Sequence, residues 1–317
     1  MPKSRRNSSV YSRYAPRDQG TYEPLEWQRL RQYVGPQISQ LELTLHGLTS
    51  EHSGMTSEFQ INAEQLEQLA AEGFVILRGV MDAAWLREVC ETTERLLRDE
   101  GDTAGSEFRP EPGSDRLANL VDKGACFQRV VSHPALLRAV ESVLGPDWKL
   151  SSLNYRAALP GEKGLQPLHC DMGLVADESG YSVFNSIWML DDFTPDNGPT
   201  RFVPGTHRSR QIPQQVLDDP NAAHPDEQVG LGKAGDVILT NAHMWHGGTA
   251  NRTRLPRRSL HGFYVRGDKP QQQYQRRLLR SETQASLSPL MRRVLALDDA
   301  RNDELSATGS GRSGFLR

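Results

Sequence analysis

From about residue 148 the chain becomes a succession of short β-type runs cut by turn residues, and this pattern constrains the fold more than any other. Runs at Phe184–Leu190, Arg201–Val203, Asp236–Thr240 and Ser259–Val265 are separated by clusters such as Pro195-Asp196-Asn197-Gly198 and Pro204-Gly205. Many short strands with Gly/Pro/Asn/Asp turns suit a sandwich or jelly roll, in which few strand edges stay open. Helical signals come earlier. Asn62-Ala63-Glu64-Gln65 is a capping box, Ile61 and Leu66 are placed as a hydrophobic staple, and Gly73 ends the apolar stripe of Leu66, Leu69 and Ala70. Phe74–Leu77 follows as a short buried strand. Asp82 caps a second helix through Trp85, Leu86, Val89, Leu96 and Leu97, and Pro134 and Gly145-Pro146 bracket a third. Helices first and strands later predict an α+β, mainly β chain with N-terminal helices packed on a β core.

Three segments follow from composition along the chain. Residues 1–60 are polar, with a short amphipathic stretch at Leu25–Val34, and read as a partly disordered extension or a lid. Residues 61–268 form the ordered domain. Residues 269–317 are a Gln-, Arg- and Ser-rich tail with one helix over Leu287–Leu297 and a disordered end.

The net charge of −3 points away from nucleic acid and anionic membranes as partners, and no apolar run is long enough to cross a bilayer. The stretch after Lys3, Arg5 and Arg6 lacks an apolar core, so a secretory signal is not expected. Cys90, Cys126 and Cys170 are odd in number and spaced for neither a disulfide scaffold nor a zinc ribbon. Reduced thiols in a cytoplasmic protein acting on a small molecule are the expectation.

The chemistry is carried by His169-Cys170-Asp171 together with a later histidine. Residues two apart on a strand share a face, so His169 and Asp171 can grip one ion. The tripeptide alone says little, because His-x-Asp is common by chance. His246 in Met244-Trp245-His246-Gly247-Gly248-Thr249 changes its meaning, and Arg257 follows eleven positions later. Two histidines and one carboxylate on one face of an octahedral iron(II) leave three open positions, two for a bidentate 2-oxo acid and one for dioxygen. The guanidinium of Arg257 suits the far carboxylate of such an acid. Arg258 is its rival; the two face opposite ways, and the spacing from His246 favours Arg257.

In these motifs the chain resembles the phytanoyl-CoA dioxygenase family of iron(II)/2-oxoglutarate oxygenases. The resemblance covers about residues 61–268: the Gly-Phe-Val-Ile-Leu-Arg-Gly opening, His169-Cys-Asp171, Asp196-Asn-Gly198, Val203-Pro-Gly-Thr-His207, Gly235-Asp236-Val237 and His246-Gly…Asn251…Arg257. It implies a double-stranded β-helix (jelly-roll, cupin-like) core. It also implies iron on His169, Asp171 and His246, and 2-oxoglutarate on Arg257 with an amide contact from Asn154. The implied reaction hydroxylates a small-molecule C–H bond with dioxygen and converts 2-oxoglutarate to succinate and carbon dioxide. Gly248 departs from the family, which often has serine there; Thr249 or a water is the candidate substitute. Asp171 favours oxygenation over halogenation, because the halogenases of this fold lack the carboxylate. Other oxidative outcomes on the same iron, such as desaturation, cyclisation, epoxidation or demethylation, remain open, as does a non-catalytic jelly-roll binding protein.

Several neighbours read more plainly. His243 lies at an odd offset from His246 and should face away from the metal. His207 and Asp236 fit turn-fixing roles, Trp188 and Trp245 fit the core or a pocket wall, and Cys170 should project away from its two flanking ligands.

Overall fold

The protein is described here by a computed structural model covering residues 59–107 and 111–309. The proposed extension, with its Leu25–Val34 stretch, lies outside the described residues except at its last two positions, and the end of the tail lies outside them too.

The N-terminal helices form where their boundary residues direct them. In α1 (Ala63–Glu72), the Asn62 side chain accepts from the Gln65 backbone N–H at 2.8 Å and the Gln65 side chain accepts from that of Asn62 at 2.9 Å. Gly73 ends the helix with φ +90°, a left-handed conformation glycine adopts without a Cβ penalty. The chain turns directly into β1 (Phe74–Leu77). Asp82 caps α2 (Ala83–Glu100) through the Trp85 N–H at 2.8 Å. After β2 (Ser114–Leu117) come α3 (Ala125–Val131) and α4 (Pro134–Leu144), the latter with proline in its first turn and Gly145 at its end.

The remaining strands are β3 (Trp148–Ala158), β4 (Val183–Met189), β5 (Thr200–Phe202), β6 (Gln228–Val229), β7 (Val237–Asn241), β8 (His246–Gly248) and β9 (Arg257–Arg266). They pair antiparallel in two sheets, a six-stranded one in the order β1-β7-β4-β9-β3-β2 and a three-stranded one in the order β6-β5-β8. The longest strand, β3, was not expected from the sequence, nor were β2, β6 and β8, and a register shift near Ser151 interrupts the pairing of β3 with β9.

Side-chain alternation divides the large sheet into two faces. Val75, Leu77, Trp188, Leu239, Leu260 and Tyr264 face the helices and join Leu69, Trp85, Val89, Phe127, Leu136 and Val140 in the main core. The opposite face packs toward the small sheet: Phe74, Ile187 and Ile238 meet Phe202, with the Phe74 and Phe202 rings stacked at 4.9 Å. Asn154, Arg156, Asn185, Arg257 and His261 belong to this inner face by the same alternation. The architecture is the expected jelly roll with helices on its outer face.

Two turn residues act as read from the sequence. Asp236 accepts from the Gly79 and Lys233 N–H groups at 2.8 Å each and from Arg78 at 2.9 Å, pinning the end of β1 to the start of β7. The ring of His207 is 3.1 Å from the Ala70 carbonyl at the end of α1.

The tail differs from its expected single helix over Leu287–Leu297. It forms α5 (Gln275–Leu278), α6 (Ser281–Ser286), α7 (Pro289–Val294) and α8 (Ala300–Gly309). Ser288 caps α7 through the Met291 N–H, and Ala296 at φ +51° turns the chain away soon after its end. Leu287, Met291, Val294 and Leu297 bury into the main core, and Gln271 donates to the Leu150 carbonyl at 2.7 Å. No helix among the described residues is long and apolar enough to cross a membrane.

Gly73 joins α1 to the sheet at a place with no spare room. A Cβ there would lie 2.7 Å from His207 Nδ1 and 2.9 Å from Met244 Sδ, in a backbone conformation that L side chains rarely adopt. Gly73→Ala is therefore expected to cost roughly 1–3 kcal/mol. That corresponds to about 2–4 °C of melting temperature per kcal/mol in a domain of this size. An unchanged melting curve would contradict this account of the junction.

Candidate metal centre

His169, Asp171 and His246 converge, each offering one ligand atom, with all three atoms within 4.8 Å of one another. The segment 169–171 is not the regular strand expected. His169 forms a single antiparallel bridge to His246, their backbones exchanging N–H···O bonds of 2.9 and 3.0 Å. Cys170 is extended, and a 3-10 turn starts at Asp171, whose N–H donates to the Ala242 carbonyl at 3.0 Å. One extended residue between them is enough to bring both side chains to the same side. Cys170 points away, 3.2 Å from the His243 carbonyl, and the thiol is pushed up to about 12 by burial and then by the Asp171 charge.

The imidazole rings are oriented through their Nδ1 atoms. His169 Nδ1 lies 2.9 Å from the Pro167 carbonyl, and His246 Nδ1 lies 2.8 Å from that of Met244. A carbonyl only accepts, so each Nδ1 carries a proton and each Nε2 is the atom left to face the centre. Both Nε2 atoms face Asp171 Oδ1, at 3.9 Å from His169 and 3.6 Å from His246. Asn185 Nδ2 donates to the other oxygen, Asp171 Oδ2, and so sets the tilt of the carboxylate. Gly247 lets the strand approach: a Cβ there would meet the Gln166 and Pro167 carbonyl oxygens at 3.0 Å.

Burial and charge set the protonation states. Burial, aided by the charge of His246, lowers His169 to about 4, so it is neutral and fit to ligate. For His246 burial acts downward, but the Asp171 carboxylate outweighs it and holds the ring above the usual 6.5. Burial would raise Asp171, yet His246 and then His169 keep it below the ordinary carboxylate range.

The three side chains open into a cavity of about 90 Å³, which Arg257 also lines. Arg257 is 6% exposed, and its guanidinium stacks over Phe193 at 4.1 Å and donates to the Gly198 carbonyl at 2.6 Å and to Ser259 Oγ at 3.0 Å. Its Nε is buried without a partner, and among the described residues no carboxylate forms an ion pair with it. Burial, with the nearby Arg156 charge, lowers it to about 9, so it remains a cation at neutral pH. Arg258 points to the other face, paired with Asp191 at 2.7 Å and Glu94 at 2.8 Å.

Thr249 borders the cavity, but its hydroxyl donates to the Pro199 carbonyl at 2.6 Å. Gly248 is hemmed in: a Cβ would lie 3.0 Å from the Gly164 carbonyl and 3.2 Å from Gln166 Oε1, and that same Oε1 accepts the Gly248 N–H at 3.0 Å. Asn154 is on the cavity face of β3, paired with His261, but does not itself line the cavity. Its Nδ2 donates to Ser152 at 3.2 Å and its Oδ1 is buried without a partner.

His243, as expected, takes no part; it accepts from the Ser182 N–H at 2.9 Å and lies 3.2 Å from the Leu174 carbonyl. Trp188 and Trp245 are buried away from the cavity. Asn251 proves to be a fastener, its amide donating to the Ala158 and Leu255 carbonyls at 2.8 Å each. Arg156, Gln166, Asn185 and His261 also line the cavity, and none of them was expected there from the sequence. For Asn185 and His261 the signal was available: each is a polar residue inside an apolar β run, where only a site or a partner repays burial.

Comparison with known proteins agrees with this geometry. The family model described as phytanoyl-CoA dioxygenase matches residues 69–259, more than half of the chain. Dioxygenase af480 of Aspergillus fumigatus is 26% identical over 279 residues, covering 83% of this chain and 86% of that protein. The Fe(II)/2-oxoglutarate-dependent dioxygenase nvfF of Aspergillus novofumigatus is 32% identical over 206 residues, 59% of this chain and 66% of that protein. The fold is shared with the crystal structure of EctD from S. alaskensis with bound Fe, at a TM-score of 0.55 and 21% identity over 68% of this chain and 80% of that one. With the jelly roll, the triad and the family match in agreement, the chain belongs to the phytanoyl-CoA dioxygenase family of iron(II)/2-oxoglutarate-dependent oxygenases.

Proposed function

We propose that this protein hydroxylates a C–H bond of a small molecule, using iron(II) held by His169, Asp171 and His246 and 2-oxoglutarate anchored by Arg257. The observation that carries the reading is Arg257 itself. A desolvated guanidinium with no carboxylate partner, in the cavity that the three ligand atoms face, costs free energy until an anion meets it. The donor set fits iron(II), two neutral imidazoles and one carboxylate on one side of the ion, with positions left for a bidentate 2-oxo acid.

When bound, iron(II) and 2-oxoglutarate supply the oxidising chemistry: dioxygen gives one oxygen atom to succinate and one to the substrate, with release of carbon dioxide. The protein's own residues position and shield. The Nδ1 bonds to the Pro167 and Met244 carbonyls hold each Nε2 toward the ion, and Asn185 keeps Asp171 Oδ1 turned inward. Arg257 takes the distal carboxylate of 2-oxoglutarate, with Thr249 bordering the same cavity. Asn154, next to His261 on the same face, supports the co-substrate end of the cavity. His261, driven well below 6.5 by burial and by the Arg156 charge, is neutral and adds polarity without adding charge.

Anaerobic addition of iron(II) and 2-oxoglutarate should produce a weak visible charge-transfer band that His246→Ala abolishes. Its absence from the intact protein, or its survival in the variant, would sink the assignment. Arg257→Gln should keep iron binding but weaken 2-oxoglutarate by roughly tenfold to a hundredfold, the loss of a charged hydrogen bond. An unchanged 2-oxoglutarate KM would remove Arg257 from the site.

Iron affinity should also depend on pH. His246 is raised above 6.5, so below its pKa a proton competes with the metal, while Asp171 stays ionised because its own pKa is depressed. Affinity is then flat at alkaline pH and falls as pH drops through the His246 pKa, by about tenfold per unit. Calorimetric iron titrations at several pH values read this slope, and a flat profile down to pH 5 would contradict it.

A further inference from the structure

One charged group in the cavity has no task in the reaction above. Arg156, on the inner face of β3 opposite Ser259, lines the cavity beside the triad. Its Nη2 pairs with Glu111 Oε1, whose second oxygen pairs with Arg116, and Gln166 Nε2 donates to the same Oε1 at 2.9 Å. The Glu111 side chain is 22% exposed and that of Arg156 26%, so the pair is partly buried but within reach of solvent. Glu111 precedes β2 and is not itself part of the cavity lining. One carboxylate thus sits among two guanidiniums and an amide, the donor set that a carboxylate ligand would seek.

We propose that Glu111 is an internal placeholder, and that Arg156 is the anchor for a carboxylate on the substrate. The inference rests on the iron/2-oxoglutarate reading, in which Arg257 already takes the distal carboxylate of the co-substrate and leaves Arg156 over. The substrate class is accordingly a small carboxylic acid. Exchange of Glu111 for the ligand keeps the charge on Arg156 balanced before and after binding, so the step costs far less than burying a new unpaired charge. The apolar body of the acid would meet Ile187 in the cavity.

The test uses the protein loaded anaerobically with iron(II) and 2-oxoglutarate, with the visible band as readout. Acetate, benzoate and octanoate are titrated, each against its neutral amide. At least one acid should bind more tightly than its amide in the unaltered protein. Glu111→Gln should tighten the acids by about tenfold, because a competitor for the anchor is removed, and leave the amides unchanged. Arg156→Gln should erase the preference for the acid. Affinity for 2-oxoglutarate should stay within about twofold in both variants. Opposite signs for the two substitutions separate a displaceable placeholder from a structural salt bridge, whose loss from either side would act alike. Acids no tighter than amides in Glu111→Gln would overturn the proposal, as would a loss of 2-oxoglutarate affinity in Arg156→Gln. A band that forms normally in every protein while the acid preference fails removes only the anchor. A band that never forms removes the parent reading instead.

Discussion

The site depends on a single pair of backbone hydrogen bonds, those exchanged by His169 and His246. They join the segment before β4 to β8, and because the paired residues are themselves the two imidazoles of the candidate site, closing the sheet also assembles the face proposed to hold the metal. The rings come within 4.5 Å of each other as a consequence of that pairing. Their Nδ1 bonds then go to carbonyls two residues back in each segment, at Pro167 and Met244. Orientation is thereby fixed by backbone that the fold already holds. Nothing in this arrangement waits for a flexible side chain to find its place, which is what pre-organisation of a metal site requires.

Around that frame the charges are uneven. Among the described residues, Asp171 is the one carboxylate that lines the cavity, whereas Arg156 and Arg257 both do. The helix-facing side of the same sheet is apolar, with Trp188, Leu260 and Tyr264 fully buried. The two sides of each strand therefore have opposite duties, and the period-2 alternation keeps them apart. Arg257 and Arg258 show this in adjacent residues. One is buried, stacked on Phe193 and short of an anion, while the other makes two surface ion pairs at the edge of α2. A one-residue slip of β9 would exchange their environments, take the Arg257 cation out of the cavity and bury an unpaired one among the helices.

Much of this was legible in the sequence, for identifiable reasons. The capping box at Asn62, the Asp82 cap and the Pro134/Gly145 bracket are local signals, and each marks its helix boundary in the structure. The four β runs named in advance overlap β4, β5, β7 and β9. What escaped depended on distant partners. Strand β3 carries Lys149, Ser151, Ser152, Asn154 and Arg156 among its apolar residues, so its alternation is blurred; it is a strand because β2 and β9 lie on either side of it. Lys149 is buried there because its ammonium donates to the Gly267 carbonyl at 2.9 Å, a partner over a hundred residues away. In the tail, Leu287, Met291, Val294 and Leu297 likewise take their places from the core they cover.

The glycine at position 248 has a local physical cause. The Gly164 carbonyl and the Gln166 side-chain amide lie against the strand there, and neither leaves room for a Cβ without a shift. Gln166 is bonded to Gly248 through both its backbone and its side chain, at 2.9 and 3.0 Å, and its amide also reaches Glu111. The glycine is thus tied to the Glu111–Arg156 pair by a continuous set of hydrogen bonds. The segment 161–168 therefore links Gly248 on β8 to the Arg156 side of the cavity.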